Sequence, residues 1–364
     1  MNRIQSSNAY YKQTNMKHLL PLILLSSLGL FQTGCTESEA QRASQTSDAV
    51  TAAMPDYIQA NVVAAKHLLS TFENESDIQL AFSDEDRTAW NNLPINEYPR
   101  RGVALKEMND EQKQAVQALL RAGLSDVGYL KINWLFWNDE RRREDRKRAD
   151  NPTWEYYGHN FFWVTVFGEP STTTPWGWQL EGHHLSVNLT FKDGQVAMTP
   201  LFLGADPAIV PDGPFAGLQV MKVETNAGWA LMESMSEEQR TQALIASEPF
   251  ADILTRSGEE AHTTGRVGIN YRKLNPQQRR LMMDIIEEYV GTFPGAPATV
   301  YLNEVREAGN ELYFAWAGLT SPGEAIYYRI QGPDFLIEFD NRSGEPNHIH
   351  SVWYDLGNVF GKAL

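Results

Sequence analysis

Residues 160–191, "NFFWVTVFGEPSTTTPWGWQLEGHHLSVNLTF", lie over residues 310–341, "NELYFAWAGLTSPGEAIYYRIQGPDFLIEFDN", at a constant offset of 150 with no gap. Gly168 falls on Gly318 and Gly182 on Gly332, while Leu185, Val187 and Leu189 meet Phe335, Ile337 and Phe339. Alternating apolar residues mark strands that bury one face. Beyond these blocks "GQVAMTPLFLG" sits over "NHIHSVWYDLG" after a small change in turn length. Upstream of each, "MNDEQKQAVQALLRAGL" (Met108–Leu124) and "LNPQQRRLMMDIIEEYV" (Leu274–Val290) begin with an Asn cap and a polar first turn, then place apolar residues at helical spacing. The chain therefore reads as α+β. An internal duplication gives two similar helix-plus-four-strand units, at about 105–210 and 270–364, with helices packed outside antiparallel sheets. Whether the two sheets stack or continue one another is open. "MSEEQRTQALI" (Met235–Ile245) supplies a helix between the halves, and "YIQANVVAAKHLLSTF" (Tyr57–Phe72) one that packs across them.

The N-terminal segment reads differently. Lys12 and Lys17 precede the apolar run Leu19–Phe31, too short for a bilayer span and suited to the core of a secretory signal. It ends in "QTGC" at Cys35, the chain's one cysteine, which resembles a bacterial lipobox with Gln32 in place of the usual Leu. Two readings stand: a lipoprotein-type signal over 1–35 with lipidation at Cys35, or an ordinary cleaved signal with an incidental Cys. Met16 would give a shorter version of either. Residues 36–54 are small, polar and charged, as a disordered tether is, leaving 55–364 as a single globular domain. The lipoprotein reading puts the protein in the cell envelope, held to the membrane through the N-terminal lipid only, and in the outer membrane if the host has one.

Charge narrows the partners. The net charge is −15, and losing Arg3, Lys12 and Lys17 with the signal makes the chain more acidic still. Such a field repels nucleic acid and anionic lipid. The basic cluster Arg141–Arg148 is interrupted by Glu144 and Asp145 and reads as a solvated helix end or loop. Without further cysteines, neither a disulfide nor a thiolate metal site is available.

Histidine remains. His348 and His350 are two apart, so on a strand they point to one side. If "EGHHLSVNLTF" is one strand, Glu181 and His183 share the apolar parity of Leu185, and His184 lies opposite with Ser186 and Asn188. A hairpin through "NRSGEPN" would set Glu338 across from His350 and Asp340 across from His348. On the functional reading His184, His348 and His350 ligate a divalent metal, zinc first, with copper and iron equally suited to imidazole, and Glu338 is the catalytic base or a fourth ligand. Three ligand nitrogens should then stand roughly 3–4 Å apart. His183 should hydrogen-bond Glu181 or backbone. The bland reading is a cross-strand Glu–His pair on a surface hairpin. The aromatic cluster offers a similar choice: Trp176, Trp178 and Trp353, with His183 and Asp355, line a substrate pocket, or the tryptophans fill a core.

At "PWGWQLEGHHLSVNLTF", "TPLFLGADP", "YYRIQGPDFLIEFDN" and "NHIHSVW" the chain resembles the family called domain of unknown function 3500, from about Leu105 to the C-terminus. Family members commonly carry an Arg after the Trp of the last motif, where Tyr354 stands here. The resemblance implies no established activity, but "GHH" and "HIH" fall in its most recognisable segments and favour a pocket there. The leading expectation is an exported, membrane-tethered metalloprotein, a metal-dependent hydrolase-type enzyme. The alternative is a non-catalytic binding lipoprotein whose aromatic cleft captures a small molecule, glycan or peptide.

Overall fold

The computed structural model describes residues 39–364 apart from 258–264, 322, 342, 343 and 345, with side chains from residue 52 onward. The signal-like segment 1–35, with Cys35, lies outside the described residues. The chain divides into a short unit, Met1–Ala43, and a large one, Ser44–Leu364, which holds every described strand.

Helix α1 (Glu39–Ser70) begins inside the segment expected to be a tether. Its buried residues Ile58, Val62, Ala65 and Leu69 recur at three- and four-residue intervals, as one helix face requires. After the single turn α2 (Asp84–Arg87) come α3 (Asp110–Gly123) and α4 (Asp126–Arg148); α5 (Lys222–Glu233) and α6 (Glu237–Ala243) follow mid-chain, then α7 (Pro276–Val290) and α8 (Gly295–Ala308). The expected Asn caps are present. Asn109 and Asn275 each accept from the backbone of a Gln three residues on, whose side chain accepts in return from the cap's N–H. Each set of strands is preceded by two helices rather than one. The basic cluster is the end of α4, where Arg146, Lys147 and Arg148 face the negative end of the helix dipole.

The strands are β1 (Gln79–Leu80), β2 (Val103–Ala104), β3 (Phe162–Phe167), β4 (Trp176–Gly182), β5 (Leu185–Lys192), β6 (Gln195–Ala197), β7 (Leu201–Ala205), β8 (Leu244–Ala246), β9 (Ile269–Asn270), β10 (Tyr313–Gly318), β11 (Ile326–Gln331), β12 (Phe335–Asp340) and β13 (Ile349–Asp355). They form one sheet in the order β1-β3-β4-β5-β7-β13-β12-β11-β10-β8, with β2, β6 and β9 pairing at β3, β5 and β10. It is a mixed sheet, not the antiparallel sheets expected, because β1 and β8 join it in parallel. The halves continue one another through the antiparallel pair β7–β13. Their registers correspond: Trp163 opposes Glu181 as Tyr313 opposes Gln331, and Leu180 opposes Val187 as Ile330 opposes Ile337.

Because strand residues alternate sides, the sheet has two unlike faces. One carries Leu185, Val187, Leu189, Ile337, Phe339 and Trp353, and packs with residues of α1, α3, α4, α5, α7 and α8 into the main core. The other carries Ser186, Gln179, Glu338, Asp340 and His350. A smaller apolar cluster of Trp90, Phe202, Ile253, Leu336, Val352 and Tyr354 covers part of it. That second face carries the candidate site.

Candidate metal centre

The stretch "EGHHLS" is a hairpin, not one strand. Gly182 closes β4, Leu185 opens β5, and these two pair directly, so His183 and His184 are the whole turn. This corrects the parity of Glu181: it opposes Ser186 and therefore lies on the polar face. His184 adopts φ 64°, an uncommon conformation for a residue with a Cβ. Its carbonyl accepts the Gly204 N–H at 2.8 Å, tying the turn to β7. A Cβ on Gly204 would lie 3.0 Å from both Cγ and Cδ2 of His184, so the glycine makes room for the ring. On β13, His350 stands directly opposite Gly204, and His348 shares its parity just ahead of the strand.

The three imidazoles therefore meet. Nε2 of His348 is 2.8 Å from Nε2 of His184 and 3.1 Å from Nε2 of His350, and the third side of the triangle is 3.3 Å. All three rings are at least nine-tenths buried. These separations would let one metal ion stand about 2.0–2.1 Å from each of the three nitrogens.

Carboxylates hold the outer edges of the rings. His350 Nδ1 is 2.7 Å from Asp252 Oδ1. The carboxylate can only accept, so Nδ1 carries the proton and the Nε2 lone pair points inward. His348 Nδ1 lies 3.6 Å from Asp206 Oδ2, an electrostatic rather than hydrogen-bonding distance. Asp206 is also ion-paired with Arg142 of α4, and its N–H donates to Asn138. His183 bonds Asp139, not Glu181 or backbone as expected: Nδ1 is 2.7 Å from Asp139 Oδ1, while Oδ2 accepts the Gly158 N–H. Its ring stacks on His184 at a 3.6 Å centroid separation. Burial pushes the His183 imidazole down to about 4, partly opposed by Asp139. Burial and the neighbouring imidazoles push His184 well below its ordinary value. Neutral rings are what a cation needs as ligands. Among the described residues, three groups could hold a metal ion: His184 with His348 and His350, Asp139 with His183 and His184, and Asp252 with Asp340 and His350.

The triad opens into a cleft of about 600 Å³, also lined by Asn92, Pro94, Glu97, Arg142, Arg146, Tyr157 and Asp252. Glu338 is absent from that lining. The β12–β13 register is offset by two from the expected one, so Asp340 opposes His350 and Glu338 opposes Val352. The Glu338 carboxylate is fully buried and accepts from the N–H groups of Leu254 and Thr255, the Thr255 hydroxyl and the Tyr327 hydroxyl. So occupied, it anchors the 252–255 segment and is placed neither to ligate nor to take a proton in the cleft. The pocket expected of the tryptophans is also corrected. Trp176 stacks on Phe191 and Trp353 on Phe335, and the Trp178 indole N–H reaches Asn61, all inside the main core. Asp355 lines a separate cavity of about 130 Å³ with Tyr301 and Glu304.

Sequence reasoning missed Asp139, Asp206, Asp252, Gly204 and the arginines of α4. Asp139 did leave a trace: Ile132, Leu135, Phe136 and Asp139 follow the spacing of one buried helix face, on which a carboxylate needs a partner.

The profile of a family described as "Protein of unknown function (DUF3500)" matches residues 55–362, so the chain belongs to that family. The match begins some fifty residues before the resemblance read from the motifs and takes in the second half of α1. No curated protein and no solved structure matches the chain.

Proposed function

We propose that this member of the unknown-function family is a metal-dependent enzyme whose centre is His184, His348 and His350. The observation that carries the reading is the convergence of three buried Nε2 atoms within 2.8–3.3 Å. Three nitrogens so close face one another with lone pairs unless a proton or cation lies between them, and the Asp252 carboxylate already holds the His350 ring proton at Nδ1. Zinc is the first candidate, and copper or iron would suit the same donors. An ion held by these three residues would supply a Lewis acid able to bind water or substrate, and lowering the pKa of such a water is how these ions drive hydrolysis. A hydrolase-type reaction is therefore our assignment. The rival reading, an aromatic cleft for a glycan or peptide, lost its main support when the tryptophans proved to be core residues.

Elemental analysis of the chain purified without added metal tests the reading. About one equivalent of a transition metal is expected, falling steeply in His348→Ala. A wild-type chain that carries none, and takes none up on dialysis against zinc, overturns it.

Two further parts of the proposal concern origin and place. The matched registers at an offset of 150 support descent of the two halves from one duplicated unit. The run Leu19–Phe31 followed by Cys35 supports export and a lipid anchor in the cell envelope.

A further inference from the structure

The chain is acidic overall, yet one wall of its histidine cleft is cationic. Arg142 and Arg146 stand one turn apart on α4, and both guanidiniums lie over the Tyr157 ring, at 5.3 and 4.5 Å from its centroid. That ring and the His183 imidazole are nearly perpendicular with centroids 4.8 Å apart, so the wall abuts the histidine turn. Arg142 is ion-paired with Asp206. Arg146 differs. Its Nη1 donates to the Thr153 hydroxyl at 2.7 Å, and among the described residues no carboxylate forms an ion pair with it. Among the described residues, the Nε–H groups of both arginines are buried and meet no hydrogen-bond partner. Of the two carboxylates in the lining, Asp252 is engaged by His350 and Glu97 is exposed at the rim.

Building on the metal reading, we propose that the substrate carries an oxyanion, a carboxylate or phosphate, which Arg146, assisted by Arg142, receives in the cleft that the histidine triad lines. A guanidinium offers donors in a planar fork that fits two oxygens of either group. Tyr157 fixes the planes of both forks, so little side-chain freedom remains to be lost on binding. A wall meant only to brace α4 would not need, in the same cleft as three convergent imidazoles, a guanidinium that no carboxylate of the described residues pairs. An uncharged substrate would leave that charge uncompensated in the complex as well.

The test uses the full chain loaded with cobalt(II), whose visible bands report its coordination. The probes are acetate and inorganic phosphate, titrated separately, so that the two arms distinguish the oxyanions. At least one should shift the bands in the wild type. In Arg146→Met the bands without anion should be unchanged, while the anion's apparent Kd rises about tenfold or more. Arg146→Lys should recover part of the affinity, because charge returns without the fork. Equal affinity in wild type and Arg146→Met, or bands that neither anion moves, overturns the proposal. If the wild type takes up no cobalt, the metal reading has failed separately. Calorimetric titration of the same chain with the two anions then decides the wall alone: Arg146-dependent binding upholds it, and no binding overturns it.

Discussion

Gly204→Ala tests the packing that brings His184 to its partners. An added Cβ would lie 3.0 Å from Cγ and Cδ2 of His184 and 3.0 Å from the Ile349 carbonyl oxygen. Relaxed carbon–carbon contacts are about 3.5–4.0 Å, so something must yield by about half an ångström. The carbonyl belongs to the strand that pairs with β7 and has little room to move. The imidazole is the softer party. Its carbonyl is pinned by the Gly204 N–H, so the ring must swing away from β7 while the turn stays in place. Metal sites accept ligand displacements of only about 0.2 Å. The expected result is a 10- to 100-fold loss of zinc affinity, the range seen when the support of a ligand is disturbed.

Overpacking should also lower stability by about 1–3 kcal/mol, leaving the variant folded. Competition with a chromophoric chelator measures affinity, and urea unfolding of the metal-free chains measures stability. Gly295→Ala is the control, since a Cβ there meets nothing within 4 Å. A folded Gly204→Ala chain that binds zinc as tightly as the wild type would refute the reasoning, because the ring would then not depend on the space above that glycine.

Trp176→Ala should cost about 3–5 kcal/mol in urea unfolding and leave zinc affinity unchanged, since the ring is core; lost zinc binding in a folded variant would restore it to the site. Burial pushes the Asp355 carboxyl from 3.8 to about 6, partly opposed by the N–H groups of Asn358 and Gly357. The folded chain then holds more protons than the unfolded one across that window, so this group makes stability fall as pH rises through it. Asp355→Asn should flatten that fall, matching wild type near pH 4 and exceeding it near pH 8 in urea midpoints; coincident profiles would count against the assignment. Cys35→Ser should move the protein from the membrane to the soluble fraction, and a variant that still sediments with membranes would rule out the lipid anchor.

The histidine triad was legible because period two puts His348 and His350 on one side of any strand, and the repeat at 150 made a meeting with "GHH" reasonable. Both errors around it came from turns. A two-residue turn with His in both positions lacks the glycine or asparagine that usually announces a hairpin, so the parity of β5 extends back through "EGHH" in a sequence reading and puts Glu181 on the wrong face. The β12–β13 register depends on the geometry of the connecting loop, and an error of two residues keeps every side chain on its face while changing its partner. That is why Glu338 looked like a neighbour of His350 although Asp340 holds the place.

The carboxylates around the triad were hidden for another reason. Asp139 comes from α4, Asp206 from the segment after β7, and Asp252 from the loop across the polar face, so no spacing along the chain links them to the histidines. What a sequence can reveal is the anomaly each creates locally. α4 itself escaped notice because its second half is charged on all sides, and a stripe that fades midway weakens the helical period. Yet the stripe's last member is Asp139, at a core position where an unpaired carboxylate would cost several kcal/mol. Its partner had to be a buried donor brought from elsewhere in the chain, and the buried turn "GHH" supplied one in His183.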